Sequence, residues 1–290
     1  DIIVSPDGLR VYISNNLSGF VTVIDTTTNN VITNIFVSIN LGPLSITPDG
    51  RTVYVGDVLF GNVTAIDTAT NTIVSSFLTG ASPGMISITP DGITAYVANS
   101  GSDTVSVVDV ATNMVTSTLV FPAGSGPYGS AILPSGEIMY VANMNDSTVS
   151  VVDLDSNMIV TTIPFPIGTE PFWVAATPDG KTVYVTMAAT DDVIPIDVAT
   201  NTIGTAFANI PGEIQDIVIF ADQAPFANFS VNIAPVNLPT TFDASESFSP
   251  VGTIVSYAWD FGDGFTTVTN NPIIAHTYTT TNFFNVTLTV

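Results

Sequence analysis

One tripeptide recurs along this chain with a nearly constant period. Pro-Asp-Gly begins at Pro6, Pro48, Pro90 and Pro178, and Pro-Ser-Gly at Pro134, so the prolines are 42, 42, 44 and 44 residues apart. An aspartate closing an apolar alternation keeps step at Asp25, Asp67, Asp109, Asp153 and Asp197. The two landmarks drift together through the same two-residue insertion, so what repeats is a structural unit. A period in the low forties with strand-like content predicts a β-propeller, one four-stranded blade per repeat.

The second repeat shows the pattern. Leu44–Thr47 reads as a first strand, stopped by the Pro48-Asp49-Gly50 turn. Thr52–Val55 is the second, and a loop from Gly56 to Asn62 leads to the third, Val63–Asp67. The turn Thr68-Ala69-Thr70-Asn71 leads to the fourth, Thr72–Phe77, and Gly80–Gly84 crosses to the next repeat. Alternation of period two between Pro, Gly, Asn and Asp punctuation is the strand and turn signal. No stretch sustains the 3.6-residue period of a helix.

Pro-Asp-Gly suits a tight turn: Pro presets φ, Asp bonds the backbone that follows, and Gly takes positive φ. Ser135 can make the same bond more weakly. Each strand-end aspartate stands four residues before an asparagine, at Asn29, Asn71, Asn113, Asn157 and Asn201. Its carboxylate is expected to accept backbone N–H groups of that turn. The competing reading of the five aspartates is a ring of metal or substrate ligands. Gly-x-x-Pro, from Gly80, Gly124 and Gly168, turns the chain sharply into the next first strand; Gly42-Pro43 is a shorter version.

Composition narrows the partners. Twenty-five acidic residues face three basic ones, Arg10, Arg51 and Lys181, for a net charge of −22. Such a surface is repelled by nucleic acid and by anionic membranes, and has too few cations to displace their counterions. The chain is 46% apolar, yet no apolar run reaches the roughly 18 residues of a membrane span. Hydroxyls, amides and carboxylates must therefore carry solubility. A secreted surface that avoids lysine and a surface tuned to high salt are both compatible with this. There is no cysteine, which excludes disulfides and thiolate chemistry without fixing the compartment.

The repeats resemble the YVTN family of β-propellers, found in prokaryotic surface-layer and secreted proteins. The name motif stands as Tyr96-Val97-Ala98-Asn99 and Tyr140-Val141-Ala142-Asn143, with looser copies at Tyr12-Ile13-Ser14-Asn15, Tyr54-Val55-Gly56-Asp57 and Tyr184-Val185-Thr186-Met187. At Ala224-Pro225 the period breaks. Trp259-Asp260-Phe261-Gly262-Asp263-Gly264 followed by His276-Thr277-Tyr278 is similar to a PKD domain, an immunoglobulin-like β-sandwich common in extracellular proteins. Asn282 stands where that family usually has Gly in the turn before the last strand, and Asn tolerates positive φ. In that strand Phe284, Val286, Leu288 and Val290 should face the core, and Asn285, Thr287 and Thr289 the solvent. The expected architecture is all-β: a YVTN-like propeller over residues 1–222 and a PKD-like sandwich over 223–290.

The repeat count poses a question of closure. Gly212–Phe220 reads as a sixth first strand with no second, third or fourth strand behind it. A bare blade face exposes about six aliphatic side chains, an unfavourable term on the order of 10 kcal/mol. The ring can close on five blades with the spare strand as a connector, on further blades upstream, or on strands from a neighbouring molecule. The simplest expectation at the termini is truncation at both ends.

Little in the sequence points to catalysis. The one histidine, His276, sits in the sandwich motif and reads as structural. With one His and no Cys a Cys/His metal cluster cannot be built, and a Ser-His-Asp triad would have to use His276. Asp191-Asp192 reads as a solvated loop. Asp260 and Asp263 are weak candidates for calcium through oxygen ligands, turn capping being the alternative. Some lactonases are propellers, but the first strands expected to line the channel here are apolar and hydroxyl-bearing, and fold alone implies no function. Asn-x-Ser/Thr occurs at Asn16, Asn62, Asn145, Asn228 and Asn285, which makes these five the glycosylation candidates. The expected role is a non-catalytic extracellular structural protein, a surface layer, adhesin stalk or filament subunit, that self-associates. A module binding glycans or other surface proteins through propeller loops is the alternative, and a propeller enzyme such as a lactonase the weaker one.

Overall fold

In the computed structural model the chain is all β, with no helix among the described residues, which are 1–208, 210, 217, 219, 227–247, 249 and 253–290. It divides into two compact units, Asp1–Ile219 and Phe220–Val290.

The first unit is a series of antiparallel blades. Blade one is β1 (Ile2–Val4), β2 (Arg10–Asn15), β3 (Phe20–Asp25) and β4 (Asn30–Phe36). Blade two is β5 (Leu41–Ile46), β6 (Thr52–Asp57), β7 (Asn62–Asp67) and β8 (Thr72–Leu78). Blade three is β9 (Pro83–Ile88), β10 (Thr94–Asn99), β11 (Thr104–Asp109) and β12 (Met114–Val120). Blade four is β13 (Pro127–Ile132), β14 (Ile138–Asn143), β15 (Thr148–Asp153) and β16 (Met158–Pro164). Blade five is β17 (Pro171–Ala176), β18 (Thr182–Met187), β19 (Asp192–Asp197) and β20 (Thr202–Ile203). Strands pair in chain order within each sheet. The sixth first strand expected over Gly212–Phe220 lies, apart from Ile217 and Ile219, outside the described residues.

The fourth strand of blade five is shorter than its sequence pattern suggests. Pro195 in β19 has no N–H to give the ladder. Gly204 donates to the Pro195 carbonyl instead, at 2.8 Å. Pairing then survives only as an isolated bridge between Val193 and Phe207. Asp192, expected in a loop, is the first residue of β19, opposite Met187.

The turns form as their chemistry dictates. The glycines of the Pro-Asp-Gly turns have φ of 71°, 72°, 73° and 68° at Gly8, Gly50, Gly92 and Gly180. Asp7, Asp49, Asp91 and Asp179 each accept the backbone N–H two residues on, at 3.0–3.1 Å. The serine of the fourth turn makes that bond at 3.3 Å, from Glu137 to Ser135 Oγ. At the strand ends Asp25 accepts the N–H groups of Thr27 and Thr28, and Asp67, Asp109, Asp153 and Asp197 accept those of Thr70, Thr112, Ser156 and Thr200. The five turn asparagines all sit in the left-handed region, with φ of 53–56°.

Packing between blades follows from the two-residue period. One face of each blade, here its front, carries a tyrosine and valines; the other, its back, carries aliphatics. Tyr12, Val21, Val23 and Ile35 of blade one lie in one cluster with Leu44, Val53, Val55 and Ile66 of blade two. The arrangement recurs with Tyr54, Val63 and Ala65 on Ile86, Val97 and Val108; with Tyr96, Val105 and Val107 on Met139, Val141 and Val152; and with Tyr140, Val149 and Val151 on Val174, Val183, Val185 and Ile196. A hydrogen bond ties each of the last three interfaces from the outside. Tyr54, Tyr96 and Tyr140 donate to Oδ1 of Asn113, Asn157 and Asn201 in the next blade's turn, at 2.6, 3.1 and 2.6 Å. The first interface departs from this. The Tyr12 hydroxyl and Asn71 Oδ1 are buried without a partner, and Arg10 donates to the Thr68 carbonyl of the same turn.

The second unit is a sandwich of two three-stranded sheets. One is ordered β21 (Ser230–Asn232), β22 (Pro239–Asp243), β25 (Ile273–Thr277), and the other β24 (Thr266–Thr269), β23 (Tyr257–Asp260), β26 (Thr287–Thr289). Phe242, Ala244, Tyr257, Trp259 and Phe261 form its core, with Val286, Leu288 and Val290 against them. Phe284, Val286, Leu288 and Val290 are half-buried while Asn285, Thr287 and Thr289 are exposed, so the expected alternation holds. The turn chemistry differs from expectation. Asn282 is not among the left-handed residues, and pairing begins only at Thr287.

Two expectations follow for the propeller. Ile66 is fully buried in the interface of blades one and two, whereas Ile24, its equivalent one repeat earlier, is half-buried. Ile66→Ala should cost about 3 kcal/mol and Ile24→Ala about 1 kcal/mol in urea unfolding. The second concerns acid. Hydrogen bonds from Thr27, then Thr28, hold the Asp25 carboxyl down at about 2. The side-chain hydroxyls of Thr70, Thr112, Ser156 and Thr200 lower Asp67, Asp109, Asp153 and Asp197 from 3.8. A carboxyl whose folded pKa lies below its unfolded value stabilises the fold above the unfolded value and loses that contribution as pH falls through the folded one. Tm should be flat from pH 7 to about 5 and fall between about pH 4 and 2. Asp67→Asn should make that fall shallower.

Candidate functional site

The first strands of all five blades surround an axial channel of 430 Å³. Its walls include Leu44, Ser45 and Ile46 of β5, Met85, Ile86, Ser87 and Ile88 of β9, Ser130, Ala131 and Ile132 of β13, and Trp173 to Ala176 of β17. Ile2 and Ile3 of β1 complete the wall with Ile217 and Ile219. The serines are spent on neighbouring blades. Ser45 donates to the Ile86 carbonyl. Ser87 donates to the Ser130 carbonyl at 3.0 Å and shares a 2.7 Å bond with its hydroxyl. Asp1 is the one ionisable side chain among the described lining residues, and its Oδ2 accepts the Leu44 N–H at 2.7 Å. The channel can therefore accommodate an apolar group, and it presents no acid–base pair to a substrate.

One mouth is built by the loops between blades and those between second and third strands. They are laced together: Val58 donates to Asn40, Ser100 to Ser82, Met144 to Gly126 and Ala188 to Glu170, all backbone to backbone at 2.9–3.1 Å. On this mouth three rings come together. Tyr128 stacks on Phe172 with centroids 4.6 Å apart, and Trp173 lies 6.3 and 6.1 Å from the two. All three are half-buried. The sequence held a signal for this group. Aligned by repeat, Tyr128 and Phe172 stand where blades two and three have Gly42 and Gly84, and Trp173 where they have Pro43 and Met85. Aromatics near the start of the first strand in only two repeats mark a local surface, since a residue needed by the fold would recur in all five.

The remaining candidates are scattered. Asn16, Asn145, Asn228 and Asn285 are exposed. Asn62 is half-buried in β7, with Val63 and Thr64 of its triplet buried. The Asn228 side chain donates to Glu246 at 3.2 Å. In the sandwich Asp260 accepts the Gly262 N–H at 2.9 Å, and Asp263 accepts that of Phe265 at 3.0 Å. The other oxygen of Asp263 lies 2.8 Å from His276 Nε2. Hydrogen bonding to His276 first, then to Phe265, lowers the Asp263 carboxyl below 3.8. The His276 ring stacks on Phe261 at 4.3 Å and on Phe265 at 5.3 Å. Each carboxylate has a structural task, and among the described residues no three His, Cys, Asp or Glu side chains gather in a way that could hold a metal.

Residues 38–224 match the YNCE-like beta-propeller family and residues 222–290 match the PKD domain. The first match spans more than half of the chain, which thus belongs to the YNCE-like β-propeller family and continues into a PKD domain. Among solved structures it is similar to hydrazine synthase of Kuenenia stuttgartiensis, at 24% identity and TM-score 0.65, over 84% of this chain and 72% of that one. It is also similar to virginiamycin B lyase from Staphylococcus aureus, at 13% identity and TM-score 0.65, over 83% of this chain and 75% of that one. At these identities the likeness shows the fold. A search of curated proteins finds no match.

The sandwich geometry yields a test. His276→Ala removes both the bond to Asp263 and the stacking on Phe261, and should destabilise the second unit by about 2 kcal/mol. His276→Phe keeps the stacking and should lose about half of that. Urea unfolding followed by Trp259 fluorescence, in a Trp173→Phe background, reads the difference.

Proposed function

We propose that this chain is a non-catalytic extracellular structural protein, a subunit of a surface layer, stalk or filament that assembles with its own kind. The observation that carries the reading is the channel. Chemistry needs reactive groups that converge on a pocket. Here the described lining is aliphatic, aromatic and hydroxyl apart from Asp1, whose carboxylate accepts the Leu44 N–H, and its serines are bonded to adjacent blades. The only histidine is locked in the sandwich.

Three further features support it. A propeller followed by a PKD domain is an arrangement of surface and binding modules. PKD domains are typical of extracellular proteins, and among the described residues no helix is long and apolar enough to cross a membrane. A surface of net charge −22 with three cations keeps copies soluble by mutual repulsion until specific faces meet. Glycans on Asn16, Asn145, Asn228 and Asn285 would project from exposed positions without disturbing the core. Electron microscopy of the concentrated protein at moderate salt should show subunits repeating with a constant spacing, and isolated particles at every concentration would count against this role.

The rings at the channel mouth favour a second reading, a glycan-binding module. Half-buried aromatics offer flat apolar faces of the kind sugars stack on. On a sugar array, binding lost in Trp173→Ala and retained in Leu78→Ala would favour this over a purely structural role.

A further inference from the structure

Aligned by repeat, the loop between second and third strands is different in blade two. Its three central residues are Asn16-Leu17-Ser18 in blade one, Ser100-Gly101-Ser102 in blade three, Met144-Asn145-Asp146 in blade four and Ala188-Ala189-Thr190 in blade five. In blade two they are Val58-Leu59-Phe60. Leu59 and Phe60 are 56% and 59% exposed. Ile39, on the crossover into blade two, is 50% exposed, where the next three crossovers have Ala81, Ser125 and Thr169. Neighbouring loops hold this one on both sides. Val58 donates to the Asn40 carbonyl before it, and Thr79 to the Gly61 carbonyl after it. The exposure of these side chains is therefore that of an internal blade, with a blade packed on each of its faces.

Two further features prepare this tip for surroundings without water. Its backbone donors are satisfied from within the protein. Leu59 and Phe60 donate to Asp57 Oδ1 at 3.0 and 3.1 Å, Gly61 to the Asp57 carbonyl at 3.0 Å, and Val58 to that of Asn40 at 3.1 Å. A backbone that leaves water needs its N–H groups bonded in this way. Its charge is also hidden. Asp57 is only 3% exposed, and residues 37–40, 58–61 and 79–82 include no ionisable side chain. On the same mouth Asp103, Asp146, Glu170 and Asp191 stand on the loops from blade three onward. In a chain of 25 acidic residues, the apolar tip and the loops on either side of it expose no carboxylate.

We propose that this tip dips into the surface of an electrically neutral lipid bilayer, led by Leu59 and Phe60 and flanked by Val58 and Ile39. Its size decides against a protein partner. A stable protein interface takes about 800 Å² and roughly twenty residues from each side, and four apolar side chains on a projecting loop supply a small part of that. A lipid surface needs no matching shape, because the side chains gain simply by leaving water. Charge decides which lipid. With a net −22 the chain is repelled by an anionic leaflet, and the uncharged tip meets no such barrier at a neutral one. A contact of four side chains rests on the membrane reversibly and does not span it.

The inference goes beyond the proposed structural role and does not depend on it, since it is read on the dilute chain. The 290-residue chain should cosediment with phosphatidylcholine vesicles. Replacing part of that lipid with phosphatidylglycerol should weaken binding at low salt. Leu59→Asp and Phe60→Asp should melt like the parent and each weaken binding by about tenfold. Ile93→Asp, at a side chain 60% exposed on the opposite mouth, should leave it unchanged. In Phe60→Trp the added indole should shift its emission to the blue when phosphatidylcholine vesicles are added. A chain that stays in the supernatant with every vesicle overturns the proposal, and would leave the tip to a protein partner. Binding indifferent to both aspartates, or tighter on anionic vesicles, overturns it equally.

Discussion

The propeller depends on one contact made four times: the tyrosine-and-valine front of one blade against the aliphatic back of the next. A single four-stranded sheet cannot bury both of its faces. Here blades two, three and four bury both, and their third strands hold fully buried residues such as Val63, Ala65, Val149 and Val152. The turns at the rim only reinforce what this packing sets. Gly50, Gly92, Gly136 and Gly180 lie over Pro6, Pro48, Pro90 and Pro134 of the preceding turn, and a Cβ there would meet the proline ring at 3.3–3.5 Å. The tyrosine-to-asparagine bonds then fix the rotation of one blade on the next. In such a stack stability is close to a sum of blade and interface terms.

Much of this could be read from residues alone, because repetition supplies its own control. Five phased copies of Pro-x-Gly, strand-end Asp and turn Asn located the strands of the second repeat to within three residues and assigned the aspartates to turns. The expected channel lining of apolar and hydroxyl residues is the one observed. The tyrosine-to-asparagine bonds were hidden, since they join residues 59 or 61 apart in different blades. The short β20 was hidden too: its cause is Pro195 in the neighbouring strand, and local pattern does not carry cross-strand effects. In the sandwich, Asn282 was expected to supply a left-handed turn, but no paired strand begins until Thr287, so the chain there has no tight turn for it to serve.

The candidate site was less legible than the fold, for a physical reason. The aromatic group at the channel mouth involves three residues from two repeats, and only comparison with the glycines of the other repeats makes it visible. The bare face of blade one has the opposite character. Its Ile2 and Ile24 are aliphatic like Leu44 and Ile66, and it differs from the other back faces in its exposure and in the pair Phe20 and Phe36.

Hydrogen exchange along the chain tests this account most directly. The amides of 63–66, 105–108 and 149–152 should exchange slowest at every protein concentration. Those of 11–13 and 22–24 should exchange faster. Equal protection of all five blades at low concentration would contradict the account, because the first back face would then be as buried as the other four.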